Sequence, residues 1–372
     1  MSFRKNLSNL FGWRTKRKIV VFESDDWGSI RTRSKLDYEE MLKKGLNLQT
    51  SHFNKFDSLE SNSDLTSLFS VLSSYKDSTA RNPVFTPMCL LANPNFEKIK
   101  SNDFKEYYYE PFTETCKKYP EHDMVHSLWL EGIKRRLFVP QLHGREHLNV
   151  ARWMGALKND DTGLKLGFNH GSIGATFFNN IKLPEHLAAF DPESPSDIEF
   201  YKDVILNAGV LFEEICGYKP QHFIASKSPE PKCMELPLSQ IGVKYLTRYK
   251  VQKYPLGNGK FDWQFNWLGK RNKLGQIYLT RNSGFEPSDK SINNPVARCI
   301  NEIDNAFKWE KPAIISTHRV NYIGFLDVNN RGNGLKFLSQ LLKKIIEKWP
   351  QVEFMTSAEL GDLISQEYGK KK

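Results

Sequence analysis

Ile19-Val20-Val21-Phe22-Glu23-Ser24-Asp25-Asp26-Trp27-Gly28 is a run of four apolar residues leading straight into an acidic cluster and a Trp-Gly turn. A short apolar run of this kind, bounded by turn residues, marks a strand buried on both faces, as in parallel sheets. Similar runs recur at Val84-Phe85-Thr86, Leu137-Phe138-Val139, Phe223-Ile224-Ala225, Tyr245-Leu246-Thr247, Ile277-Tyr278-Leu279, Ala313-Ile314-Ile315 and Val352-Glu353-Phe354. Helical patterns separate them. One is capped by Ser194, starts at Pro195, runs to Cys216 and stops at Gly217, with Pro220 beyond; Pro at the first turn and Gly after the last are favoured ends. Pro295 to Trp309 and Gly334 to Trp349 read the same way. Strands alternating with helices predict an α/β chain: a distorted or incomplete (β/α) barrel of about seven strands with helical insertions. An open doubly wound sheet competes, but its Gly-rich phosphate fingerprint is missing. The stretches 33–81 and 93–136 are too long for simple connections. They are expected to be helical insertions over the barrel mouth, within one domain spanning 1–372.

Composition excludes several classes. The chain has 372 residues, 39% of them apolar and 26% charged, the balance of a globular protein rather than a disordered one. The net charge of +10 favours anionic partners. Much of it is terminal, in Arg4, Lys5, Arg14, Lys16, Arg17, Lys18 and Lys370-Lys371-Lys372, and is expected to be solvated. No DNA- or RNA-binding signature accompanies it, so no specific nucleic acid is expected. No stretch reaches the roughly 20 apolar residues of a membrane span, and the N-terminus lacks a secretory pattern. Five scattered cysteines without a CxxC pair argue against a disulfide framework or a cysteine zinc site. A cytoplasmic location is expected.

The chemistry sits at strand ends. The first apolar run delivers Asp25 and Asp26; the third leads through Pro140-Gln141-Leu142 into His143-Gly144-Arg145-Glu146-His147; the seventh leads through Ser316-Thr317 into His318. In parallel barrels these ends converge on one face, where active sites form. Side-chain alternation should aim Asp25 and Asp26 differently, one at a cation and one free for proton transfer. The four-residue spacing of His143 and His147 suits one face of a helical turn. Two imidazoles and a carboxylate suit zinc or another divalent transition ion. His122 and His126 repeat the spacing, but follow no strand and read as structural, as do His52, His186 and His222; His170 could line the cleft. His318, with an ordinary pKa near 6.5, suits a proton donor near neutrality.

On these motifs the chain resembles the polysaccharide deacetylase family (carbohydrate esterase family four, the NodB homology domain). That family has a distorted barrel, an early Asp-Asp pair, an H-x-x-x-H metal motif and a late hydrophobic-x-His motif, present here in that order. The helix-to-strand passage from Phe212 to Phe223 and the closing stretch from Val352 to Leu360 are also similar. The resemblance runs from about Lys18 to Leu360. It implies Asp25 as general base, Asp26, His143 and His147 as ligands of one divalent metal ion, zinc above cobalt, nickel, manganese or iron, and His318 as general acid. It also implies an acylated, N-acetylated sugar or polysaccharide substrate. The chain departs from the pattern where Phe223 to Pro231 lacks the third-motif Arg and offers only Lys227. Asp262-Trp263 is the candidate for the fourth motif. Trp27, Arg281 and Glu286 complete the expected substrate contacts, with Arg281 suited to an anionic or polyhydroxyl group. Two alternatives stand beside this: a glycoside hydrolase using Glu23, Glu146 or Glu286, and a non-catalytic carbohydrate-binding protein.

Overall fold

The computed structural model of the protein describes residues 10–159, 161–174 and 186–369; the basic residues Arg4, Lys5 and Lys370 to Lys372 lie outside them. Among the described residues, nine strands form one parallel sheet: β1 (Lys18–Trp27), β2 (Phe85–Leu90), β3 (Gln141–Gly144), β4 (His222–Phe223), β5 (Tyr245–Thr247), β6 (Ile277–Leu279), β7 (Ser283–Gly284), β8 (Ala313–His318) and β9 (Val352–Phe354). Their order is β6-β5-β4-β3-β2-β1-β8-β7, with β9 beside β1. Val20 pairs with both Ala313 and Phe354, so β8 and β9 lie on opposite edges of β1. From Phe22 onward that second edge passes to β2. The outermost strands β6 and β7 are consecutive in sequence, and only residues 280–282 separate them. The barrel therefore closes through the chain, across a seam with no strand ladder. It is a distorted (β/α) barrel.

The eight expected runs fall on this sheet with local differences. Residues Leu137 to Val139 only exchange backbone hydrogen bonds with Phe85. Pro140 has no N–H to extend that ladder, and β3 starts at Gln141. The two-residue β7 had no apolar run to announce it.

Alternation along β1 sorts its side chains between two layers. Val20 and Phe22 join Phe85, Leu246, Ala313 and Ile315 in an outer layer under the helices. That layer is filled by α1 (Asn62–Ser73), α2 (Val125–Lys134), α3 (Pro195–Cys216), α4 (Pro295–Lys308) and α5 (Val328–Lys348). Ile19 and Val21 join Ile277, Leu279 and Ile314 on the inner face, covered by Leu360 and Ile364 of α6 (Ser357–Gly369). Continuing the period of two puts Glu23 and Asp25 inward, as it does Thr247 of β5 and Ser316 and His318 of β8. Leu338, Leu342 and Ile303 are fully buried, and truncating one to Ala would cost about 2–5 kcal/mol.

Helix α3 ends at Gly217 with φ 79°, the left-handed stop that glycine takes without strain. Helices α1 and α2 fall inside the long stretches 33–81 and 93–136, yet Leu65, Leu68, Phe69, Leu128 and Trp129 place them in the outer layer. The part of the first stretch that reaches the mouth is the short helix His52–Phe56, whose Phe53 ring meets that of His318 edge-on at 5.0 Å.

Candidate active site

Asp25, Asp26, His143, His147 and His318 line one cavity of about 1180 Å³ at the C-terminal ends of the strands. Asp25 arrives there by strand alternation. Asp26 should then face outward, and it does not. The register between β1 and β2 shifts between Ser24 and Trp27, and Asp26 takes φ 78°, a left-handed conformation that residues other than Gly, Asn and Asp rarely adopt. This local strain turns the second carboxylate into the same mouth as the first. The expectation that the pair would diverge is corrected accordingly.

His143 lies on the inner face of β3, and its Nδ1 donates to the carbonyl of Ile224 at 2.8 Å. A carbonyl only accepts, so Nδ1 carries the proton and Nε2 faces Asp26 Oδ1 at 3.5 Å. His147 Nε2 lies 3.3 Å from the same oxygen. These ligand atoms all fall within 4.8 Å of one another in a buried group. No helical turn joins the two histidines. The chain leaves β3 at Gly144, φ 147°, and bends back, holding the rings 5.7 Å apart; the next helix starts only at Val150. Arg145 braces the bend, paired with Glu146 at 2.6 Å and set over the Tyr109 ring at 4.1 Å. Two imidazole nitrogens and a carboxylate oxygen converging at one buried point are a donor set that fits a divalent cation. Burial pushes the Asp26 carboxyl up, but the two imidazoles outweigh it and hold it well below the usual carboxylate range.

Asp25 has a different environment. Arg281, from the seam, grips both its oxygens, Nη2 to Oδ1 and Nη1 to Oδ2 at 2.6 Å each. The same guanidinium donates through Nε to Glu23 at 2.6 Å and through Nη1 to Ser316 Oγ at 3.0 Å. Burial alone would raise the Asp25 carboxyl; the Arg281 charge and hydrogen bonds bring it below its ordinary value. His318 moves the opposite way. Burial would depress it, but Glu286, whose Oε1 is 2.6 Å from Nδ1, together with Asp25 and Asp26, lifts it to about 10. Asn321 steadies Glu286 from behind, donating to Oε2 at 2.6 Å. His318 Nε2 stands 3.7 Å from Asp25 Oδ2, and the two residues are direct register partners across β1 and β8. A carboxylate kept ionised beside an imidazole kept protonated is the arrangement of a base and an acid acting on one substrate.

The remaining sequence candidates separate. Lys227 and Arg281 line the cavity. Glu286 acts behind His318 rather than in the cavity. Trp27 is fully buried, donates to Ser24 Oγ at 2.9 Å and packs on Phe138; the bulge that turns Asp26 in turns Trp27 out. Asp262 sits on an exposed hairpin and does not line the cavity. Glu23 is fully buried, taken by Arg281, Thr247 and Ser357. His122 and His126 are tied to backbone carbonyls of Pro120, Leu59 and Ile215, the structural role expected of them. His170 pairs with Asp37 at 3.1 Å, and His222 contacts Thr247 at 2.8 Å. What sequence reasoning missed is that Arg281 and Glu286, five residues apart around β7, each anchor one of the two titrating groups. Phe53 was missed as well, and no local pattern marks it.

No known protein-family profile matches the chain, and no curated protein matches it. Among solved structures it is similar to a protein described as a polysaccharide deacetylase from Mycobacterium smegmatis, at 11% identity and TM-score 0.46, over 96% of this chain and 94% of that one. It is similar to Puue allantoinase at 11% identity and TM-score 0.45, over 94% and 91%. It is also similar to a 4-alpha-glucanotransferase from Thermococcus litoralis at 10% identity and TM-score 0.42, over 92% of this chain and 40% of that one.

Proposed function

We propose that the protein is a metal-dependent hydrolase that removes an acyl group, foremost N-acetyl, from a sugar or polysaccharide-related substrate. The observation that carries this reading is the single cavity in which a two-His, one-carboxylate donor set adjoins an ionised Asp25 and a protonated His318. Asp26, His143 and His147 would hold one divalent ion, zinc first, with cobalt, nickel, manganese or iron able to use the same donors. When bound, such an ion supplies Lewis acidity to an acyl oxygen and to water. Asp25 takes the proton of the attacking water, its carboxylate direction fixed by the two-pronged grip of Arg281. His318 delivers its Nε2 proton to the departing amine or alcohol, with Glu286 at Nδ1 holding the ring and its charge. Phe53 closes one side of that imidazole.

We read residues 1–372 as one catalytic domain, with 33–81 and 93–136 as its extra segments. Lys227, on the cavity wall, is a candidate contact for an anionic or polyhydroxyl substrate. The cysteines Cys89, Cys116, Cys216, Cys233 and Cys299 are free, which fits a reducing, cytoplasmic setting; no helix among the described residues is long and apolar enough to cross a membrane. The glycosidase alternative loses support because Glu23 and Glu146 are both committed to buried arginine pairs. The donor set alone would also suit non-haem iron, and the base and acid beside it favour hydrolysis.

The test is metal analysis of the purified protein beside H143A, with acetate release followed over a panel of N-acetylated sugars, with and without chelator. One equivalent of metal in the wild type, its loss in H143A and chelator-sensitive acetate release are expected. A wild type that holds no stoichiometric metal and does not respond to added metal would refute the reading.

A further inference from the structure

The cavity wall at Tyr249, Lys250 and Val251 continues outward into an antiparallel hairpin, Val251–Gly257 paired with Lys260–Phe265. The register sets Val251 opposite Phe265, Lys253 opposite Trp263 and Pro255 opposite Phe261. Because side chains alternate, these six share one face. Gln252 and Tyr254, on the other face, are buried against the body. The outward face is open except at Pro255, which is buried: Trp263 is 59% and Phe265 70% exposed, and Phe261 and Val251 are exposed beside them. Trp267, just past the hairpin, is exposed as well and meets the exposed ring of Phe11 at 6.5 Å. Isolated surface apolar residues are ordinary, whereas a contiguous group of aromatics marks a contact surface.

Charge decides what it contacts. From Tyr249 to Gly275 the chain carries Lys250, Lys253, Lys260, Lys270, Arg271 and Lys273 against one acid, Asp262. The cations are interleaved with the rings: Lys253 Nζ lies 3.3 Å from the Phe261 centroid and Lys270 Nζ 4.7 Å from that of Trp267. A second copy of the chain would press like charges together, and protein interfaces are depleted of lysine. A neutral glycan would gain nothing from the cations. An anionic bilayer surface matches both halves: rings settle at headgroup depth, lysine stems lie along the apolar layer and their ammonium groups reach the phosphates.

We infer that this hairpin face docks the protein peripherally on an anionic lipid surface and holds the cavity mouth beside it. The inference goes beyond the hydrolase reading and does not depend on it. Full-length protein is sedimented with vesicles of phosphatidylcholine alone and of phosphatidylcholine mixed with phosphatidylglycerol. Binding to the mixed vesicles only, weakening as salt is added, is expected. The double variants W263S/F265S and K253E/K270E, none of whose residues lines the cavity, should each lower vesicle partitioning by about tenfold or more while remaining folded by circular dichroism. H143A should bind like wild type, so a failed hydrolase assay leaves this result standing. Absent or charge-independent binding, or variants that bind as wild type, would overturn the inference. So would a wild-type dimer that W263S/F265S dissociates, or a soluble glycan that binds this face, with no vesicle binding in either case.

Discussion

Replacing Arg281 with Met tests the arrangement of the site most directly. The guanidinium spends three contacts of 2.6 Å and one of 3.0 Å on Asp25, Glu23 and Ser316, with its own side chain 15% exposed. Methionine keeps the apolar stem but leaves the buried Glu23 without its arginine and Asp25 with His318 as its remaining cationic neighbour. Breaking a buried pair in this way costs about 3–5 kcal/mol. At about 2.1 cal/mol/K for each of 372 residues, unfolding entropy near Tm is about 0.8 kcal/mol/K, so Tm should fall by about 4–6 °C. The pH dependence has a definite sign. In the wild type the Asp25 carboxyl is depressed, since Arg281 outweighs burial. Such a group contributes stability above its unfolded pKa and loses it as pH falls through its folded one. Without Arg281, burial raises the carboxyl instead, so the Tm gap should narrow between about pH 7 and about pH 4. Turnover should drop by about 10²- to 10⁴-fold, with KM little changed, because the base is both protonated and misdirected. Calorimetric melts across pH and steady-state kinetics check this. A variant melting within about 1 °C of wild type at neutral pH, or a gap that does not narrow, would refute the charge-clamp reasoning.

Asp26→Asn and Asp26→Ala should both abolish metal binding, but the Asn variant should be more stable by about 1–2 kcal/mol, because Asn tolerates the left-handed backbone at φ 78°; equal denaturation midpoints would contradict this. Glu286→Gln removes the charge that lifts His318 to about 10 against burial, so the alkaline limb of the rate profile should move to lower pH. A limb that stays in place would show that Glu286 only packs. His143→Ala should lower metal content from one equivalent to near none with the fold intact by circular dichroism. His126→Ala, which removes a contact to the Ile215 carbonyl and one to the Phe112 ring, should change neither metal content nor turnover; a loss of metal would reopen the second histidine pair as a site.

Which residues meet was legible wherever an apolar run delivered a titratable side chain to a strand end. Asp25, His143 and His318 are inner-face residues by simple alternation, so their convergence follows once the sheet is parallel and closed. The direction of Asp26 was not legible, because it depends on a register shift and a positive φ at a residue with no glycine to announce either. The same shift sent Trp27 into the core. The meeting of His143 and His147 was foreseen from a helical spacing, yet a bend at Gly144 produces it, and sequence distance cannot tell the two apart. Phe223 to Pro231, at and after β4, offers Lys227 as its cation, whereas the guanidinium that grips Asp25 is Arg281 at the barrel seam, a position set by how the last strands wrap round to β1 and invisible in local pattern.

That seating of β1 has a consequence for how the protein is made. Val20 to Asp25 have their neighbours in Ala313 to His318, and Lys18 to Val20 theirs in Val352 to Phe354. A ribosome adding about 5–20 residues per second needs roughly 15–60 seconds to supply β8 after β1 has emerged. Throughout that interval an apolar strand carries an unpaired edge, an invitation to aggregation. Base and acid face each other only when synthesis is nearly complete, so a nascent or truncated chain ending before Ala313 should be inactive and a substrate for chaperones.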